Sequence, residues 1–126
     1  MTEILYKNKV VGMLIRTIKS GSLPVTDGRH PLQVVTLKHP KGKYLIAHTH
    51  KPMVRTTRRM QECLVVRKGR IKLDLYGPDN KLFKKIILKA GDAYLSLNGG
   101  IGIHVLKNAE LMEFKNGPFL EDKVII

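Results

Sequence analysis

The stretch Arg67–Lys81, RKGRIKLDLYGPDNK, decides the fold class of this chain. Within it, Ile71–Leu75 alternates apolar side chains at odd positions with charged ones at even positions, which is typical of a half-buried strand. The flanking segments, Arg67–Arg70 and Tyr76–Lys81, have the composition of hairpin turns. The sequence therefore predicts antiparallel strands that are connected by short turns.

Similar short apolar or alternating runs, separated by turn residues, recur along the whole chain. We find no convincing amphipathic helix and no internal linker. Many short strands at this spacing predict one all-β domain, an antiparallel barrel or sandwich over residues 1–126, long enough to bury a core without disulfides. The expected strands are Ile4–Lys7, Val10–Ile15, Gln33–Leu37, Tyr44–His50, Glu62–Arg67, Arg70–Tyr76, Leu82–Leu88, Ala93–Leu97, Gly102–Leu106, Glu110–Lys115 and Lys123–Ile126.

The chain is strongly basic, with 23 lysines and arginines against 10 acids, a formal charge of +13 and a pI near 10.1. Such a charge attracts anions. The basic residues are spread through the chain, and aromatic residues make up only 6%, so no base-stacking platform is recognisable. We therefore expect a small anionic molecule as the partner and no nucleic acid, with an ordinary basic surface as the alternative.

The sequence predicts a cytoplasmic protein without a membrane segment. No apolar run approaches the roughly 20 residues that span a bilayer, and the first residues do not resemble a signal peptide. The single cysteine, Cys63, excludes an internal disulfide, as is usual in a reducing compartment. It alternates with Glu62 and is expected to pack in the core, not to act as a nucleophile.

Two histidines stand two positions apart in the stretch Gly42–Pro52, GKYLIAHTHKP. On a strand, His48 and His50 share one face, together with Tyr44 and Ile46. That face is the apolar one and is expected to point inward. The histidines are therefore either a buried polar pair or two ligands of a metal ion.

Residues 42–69 and 91–108 resemble the two motifs of the cupin superfamily, G-x5-H-x-H-x3,4-E-x6-G and G-x5-P-x-G-x2-H-x3-N. The resemblance implies a jelly-roll-like antiparallel β-barrel or sandwich. In the second motif the proline position is Leu97, and the histidine lies two residues later than in the pattern. The matching residues are Gly42, His48, His50, Glu62 and Gly69 in the first motif, and Gly91, His104 and Asn108 in the second.

The resemblance implies that His48, His50, Glu62 and His104 bind a divalent transition metal. Three imidazoles and one carboxylate suit Fe, Mn, Ni or Zn, and the sequence does not select among them. A carboxylate on an apolar face is costly without a cation, which also favours a metal beside Glu62. The alternative is a set of core histidines with an unrelated glutamate.

Eleven residues, 51–61, separate the second histidine from Glu62, where the cupin pattern has three or four. This segment carries four basic residues and no acid, and we expect it at the mouth of the barrel. There Arg55 and Arg58 could bind a phosphate or carboxylate through paired hydrogen bonds. Gln61 could orient Glu62. The alternative is a solvated basic loop.

Residues 112–119 and 122–126 are similar to the tails of small cupins found among surface-polysaccharide genes. The resemblance implies a sugar-related context without naming a reaction. From the four-ligand pattern and the basic segment we expect a metal-binding cupin that acts on or binds a sugar phosphate or nucleotide sugar, with isomerase- or epimerase-like chemistry. The alternatives are an Fe(II)-dependent dioxygenase and a non-catalytic module that binds a small ligand. The resemblance also implies a homodimer, since small cupins commonly dimerise by sheet extension or packing, and the apolar N-terminal strands here could form such an interface.

Overall fold

The computed structural model describes residues 1–126 and contains eight strands and no helix. All strand pairs are antiparallel, so the predicted all-β fold class is confirmed. None of its segments is a helix that could cross a lipid bilayer. The strands are β1 (Thr2–Tyr6), β2 (Lys9–Ile15), β3 (Gly21–Pro24), β4 (Val35–Lys38), β5 (Glu62–Tyr76), β6 (Leu82–Lys89), β7 (Ala93–Ser96) and β8 (Gly100–Lys115).

Six of the strands form one sheet that curls into a half-barrel. Its order is β1-β2-β7-β5-β6, and β8 pairs with β5. β7 pairs with the first part of β5, Glu62–Val65, whereas β6 pairs with the second part, Arg70–Tyr76. β8 runs along nearly all of β5. β3 and β4 form a separate two-stranded sheet.

Two of the hairpin turns contain residues with a left-handed backbone. Lys7 and Asn8 connect β1 to β2 with φ values of 49° and 64°, as a two-residue hairpin requires. Asn80 has a φ of 65° in the turn between β5 and β6, where the Gly77 N–H donates to the Lys81 carbonyl. The hairpin predicted at Tyr76–Lys81 is therefore confirmed.

The apolar residues of β5 are buried on both faces of the sheet. Leu64, Val66, Ile71 and Leu73 belong to the larger core, and the last two are completely buried. Cys63 belongs to the smaller core, where burial raises the pKa of its thiol. The alternation read from Ile71–Leu75 thus predicted the core face correctly, and Cys63 packs as expected.

The turn predicted at Arg67–Arg70 is wrong, because β5 continues through it as one bulged strand. Gly69 makes this possible, with a φ of 84°. A Cβ at this glycine would lie 2.1 Å from the carbonyl oxygen of Asn108. The backbone of β8 therefore lies closely against Gly69, and the long pairing of β5 with β8 replaces the local hairpin.

Two predicted strands, Tyr44–His50 and Lys123–Ile126, are absent from the structure, while β3 was not predicted. Residues 43–61 form no strand at all. Strand conformation in water depends on a hydrogen-bonded neighbour. The segment has strand-like composition, but no strand of the chain pairs with it in this structure.

The Gly69→Ala substitution is expected to lower the free energy of unfolding by at least about 1–3 kcal/mol, the typical cost of a left-handed backbone for other residues. The Cβ contact with Asn108 adds to this cost. Urea denaturation would measure the change. Gly28→Ala is the matched control, because a Cβ there meets nothing within 4 Å and needs no left-handed backbone. Equal losses in both variants would contradict the close contact between β8 and Gly69.

Candidate functional site

His48 and His50 lie on an exposed, irregular segment. Their ring centroids are 5.1 Å apart at an interplanar angle of 75°, and His48 Nδ1 lies 2.8 Å from the Ile46 carbonyl oxygen. The neighbouring Tyr44 and Ile46 are 70% and 77% exposed. The apolar face expected to point inward is therefore not covered by any part of the same chain.

Glu62 begins β5 and forms an ion pair with Lys115, at 3.5 Å between Oε1 and Nζ. The same ammonium lies 3.3 Å from Glu113. The hydrogen bond with Glu113 and the charge of Glu62 raise the pKa of Lys115. All three residues line a cavity of about 670 Å³, beside the C-terminal residues 119–126.

Nε2 of His104, on β8, lies 2.6 Å from Oδ2 of Asp74, on β5. This hydrogen bond lowers the pKa of Asp74, and the charges of His104, Lys85 and Lys72 act in the same direction against the effect of burial. Asp74 is 9% exposed, and its other oxygen has no hydrogen-bond partner. His104 is half exposed. The pair thus joins a buried carboxylate to an accessible imidazole.

Two lysines flank this pair on the same face of the sheet. Lys72 is the register partner of His104, and Lys85 is the register partner of Asp74. Residues directly opposite each other in an antiparallel pair share a face. The imidazole, the carboxylate and two ammonium groups are therefore neighbours, an arrangement that suits an anionic ligand.

The four predicted metal ligands do not meet within one chain. Glu62 alternates with Leu64 and so lies on the face of the larger core. His104 pairs with Lys72, which alternates with the buried Leu73, so His104 lies on the opposite face. No three His, Cys, Asp or Glu side chains are grouped to hold a metal ion. As arranged in one chain these residues do not fit a metal, and the metal site stays a prediction.

The three predicted ligand-binding residues have separate environments. Arg55 and Arg58 are exposed, and Arg55 donates only to the carbonyl oxygen of Met53, at 3.5 Å. Gln61 is 3% exposed and connects loops: its amide accepts from the Leu32 N–H and donates to the Leu97 carbonyl. Binding of an anion by the arginines stays a prediction, while Gln61 makes no hydrogen bond to Glu62.

Sequence reasoning missed Asp74, which looked like a solvent-facing residue of an alternating strand. Its contact with His104 depends on the register between β5 and β8, to which the residues around it give no clue. The available signal was its negative charge on a segment, residues 67–75, whose other charged residues are all basic.

The His104→Ala substitution is expected to raise the pKa of Asp74, because the hydrogen bond that lowers it is lost. A carboxyl with a lowered pKa stabilises the fold above its unfolded-state pKa, near 3.8, and loses this effect as the pH falls through its folded-state pKa. The variant should therefore be less stable than the parent at pH 7, with a difference that shrinks in acid. Carboxyl ¹³C NMR titration and urea denaturation at pH 7 and pH 3 would measure both effects. An unchanged Asp74 titration would contradict the pairing.

Comparison with known proteins identifies no relative: no protein-family model, no curated protein and no solved structure matches the chain.

Proposed function

We propose that this chain is a cupin-like protein that binds a small anionic carbohydrate-type molecule, a sugar phosphate or nucleotide sugar, and isomerises or epimerises it. The observation that carries the proposal is the His104–Asp74 pair between Lys72 and Lys85. The curled antiparallel half-barrel is compatible with a cupin barrel.

Isomerisation or epimerisation beside a carbonyl needs a group that removes a proton from carbon and returns it. When His104 donates from Nε2 to Asp74, its Nδ1 remains as the acceptor for that proton. The C–H electron pair moves into an enolate, and the imidazolium, which can exchange its proton with solvent because His104 is half exposed, returns a proton to carbon. Return to the opposite face of the same carbon epimerises the sugar. Return to the neighbouring carbon isomerises it, and the hydroxyl proton of the first carbon then passes to the former carbonyl oxygen. The buried carboxylate holds the ring and stabilises the imidazolium that forms in between.

The two lysines provide the positive charge that this chemistry requires. An ammonium group can hold the phosphate of the ligand or stabilise the negative oxygen of the enolate. Because both lysines lie on the same face of the sheet as His104, either ammonium group would be close to the proton-transfer group.

The divalent metal predicted from the sequence is a separate proposal, and no step is assigned to it because its ligands do not meet in one chain. Dioxygenase chemistry depends on that metal set. A non-catalytic binding module would use the same lysines and the same imidazole without turnover, so binding and turnover have to be measured separately.

Calorimetric titration with a panel of sugar phosphates and nucleotide sugars tests the binding step. We expect the parent to bind one class and the Lys72→Ala/Lys85→Ala variant to lose at least about tenfold in affinity, since each charge-assisted hydrogen bond is worth about 1.5–3 kcal/mol. The matched control is Lys9→Ala/Lys38→Ala, which removes the same charge from other exposed positions.

Two results would contradict the proposal. The first is a parent that binds no member of the panel. The second is an equal loss in both double variants, which would indicate attraction by the overall charge alone.

A further inference from the structure

β8 presents a long unpaired edge. It has 16 residues, whereas strands average about 5–6, and β5 is its only partner strand. Proteins usually shorten, cover or charge such an edge, because its free N–H and C=O groups pair readily with another strand. Here apolar side chains remain exposed along it, including Val105 at 62% and Phe114 at 48%. The edge therefore has the properties of a pairing surface.

A second segment of the chain has the composition of a strand but pairs with no other strand. Residues 44–54, which we name the donor segment, lie outside every strand although their composition is strand-like. Its apolar side chains face solvent, with Ile46 at 77%, Met53 at 70% and Val54 at 96% exposure. Several exposed apolar side chains close together usually mark a surface that binds a partner. The donor segment therefore has no pairing strand, and the β8 edge has hydrogen-bonding groups that no strand occupies.

Charge also favours contact between this region and another copy. Four basic residues in or directly after the donor segment make no ion pair within the chain, while the cavity at the ends of β8 contains four of the ten acids of the chain against two lysines. Opposite local charges align two surfaces of a protein that otherwise repels its copy. The basic residues are Lys51, Arg55, Arg58 and Arg59, and the acids are Glu62, Glu113, Glu121 and Asp122.

We propose that a second copy of this chain adds its donor segment to the β8 edge. With twofold symmetry each copy donates one segment and receives one, which closes the assembly as a dimer. His48 and His50 of the donor segment share a face, so the added strand can bring both imidazoles to the face of β8 that carries His104. The candidate site of one copy is then completed by the other. This last step rests on the proposed function, whereas the strand addition does not.

Light scattering after size exclusion tests the strand addition. The parent is expected to be a dimer, and Ile46→Asp and Val105→Asp are each expected to be monomeric, with unchanged far-UV circular dichroism. Both positions are exposed, so neither variant removes a core residue. Leu5→Asp is the matched control, because Leu5 is 56% exposed on β1, another edge strand of the same sheet, and its variant should remain a dimer.

A parent that is monomeric at all concentrations would overturn the proposal. A dimer that Leu5→Asp dissociates, while Ile46→Asp and Val105→Asp do not, would overturn it in favour of pairing through β1.

Cross-linking locates the contact directly. A chain with Ile46→Cys is mixed with chains carrying Met112→Cys or Phe114→Cys, two exposed positions on the His104 face of β8, and a short bismaleimide is added; the buried Cys63 should not react. A covalent product of one chain of each kind is expected for at least one β8 position. A dimer without such a product would refute the placement. The His104→Gln variant should remain a dimer, so a loss of ligand binding in it would concern the proposed function alone.

Discussion

Replacing His104 with glutamine is expected to lower turnover of the bound sugar by about 10²–10⁴-fold, the usual contribution of a positioned acid–base group. Glutamine can still donate a hydrogen bond to Asp74, but it cannot take up a proton from carbon. The measurement is the exchange of the hydrogen beside the carbonyl for solvent deuterium, followed by NMR and mass spectrometry. The substrate is the panel member that the parent binds.

Asp74→Asn separates positioning from proton transfer. It leaves the imidazole in place but removes the charge that stabilises its protonated form, so we expect a lower kcat with a nearly unchanged KM. His39→Gln is the matched control, because His39 contacts Ser22 in the two-stranded sheet. Parent-like exchange in His104→Gln would contradict the proposed role, and loss of binding without a change in kcat would make His104 a binding residue only.

The Leu73→Ala substitution is expected to lower the free energy of unfolding by about 2–5 kcal/mol, because it leaves a cavity in the larger core. Leu73 is completely buried there. A loss of this size is a large part of the roughly 5–15 kcal/mol that stabilises an ordinary domain. Urea denaturation followed by far-UV circular dichroism would measure it.

Leu106→Ala is the control for this experiment, since Leu106 is 48% exposed on β8 and its truncation leaves no enclosed cavity. Its expected change is within about 0.5 kcal/mol, as for most surface substitutions. Similar losses in both variants would show that the alternating strand does not form the core as described.

Much of the fold follows from local patterns in the sequence. Alternation in Ile71–Leu75 is a property of neighbouring residues, and it predicted the buried face of β5 correctly. The turn at Tyr76–Lys81 was predictable because Gly77 and Asn80 favour a reversal of the chain wherever they stand. Both features arise within a few residues, so they do not depend on distant partners.

Tertiary structure decided which strands are continuous and which side chains meet. Gly69 indicated a turn by itself, but pairing with β8 makes it part of a bulge inside one long strand. His104 was recognisable as a candidate from its spacing, whereas Asp74 became its partner only through the register of two strands that lie far apart in the sequence. Residues 44–50 had the pattern of a strand, but a strand requires a paired neighbour, and no strand of the chain pairs with them in this structure. Local alternation determines strand-forming potential and side-chain faces, while non-local hydrogen bonding determines pairing, register and the composition of the site.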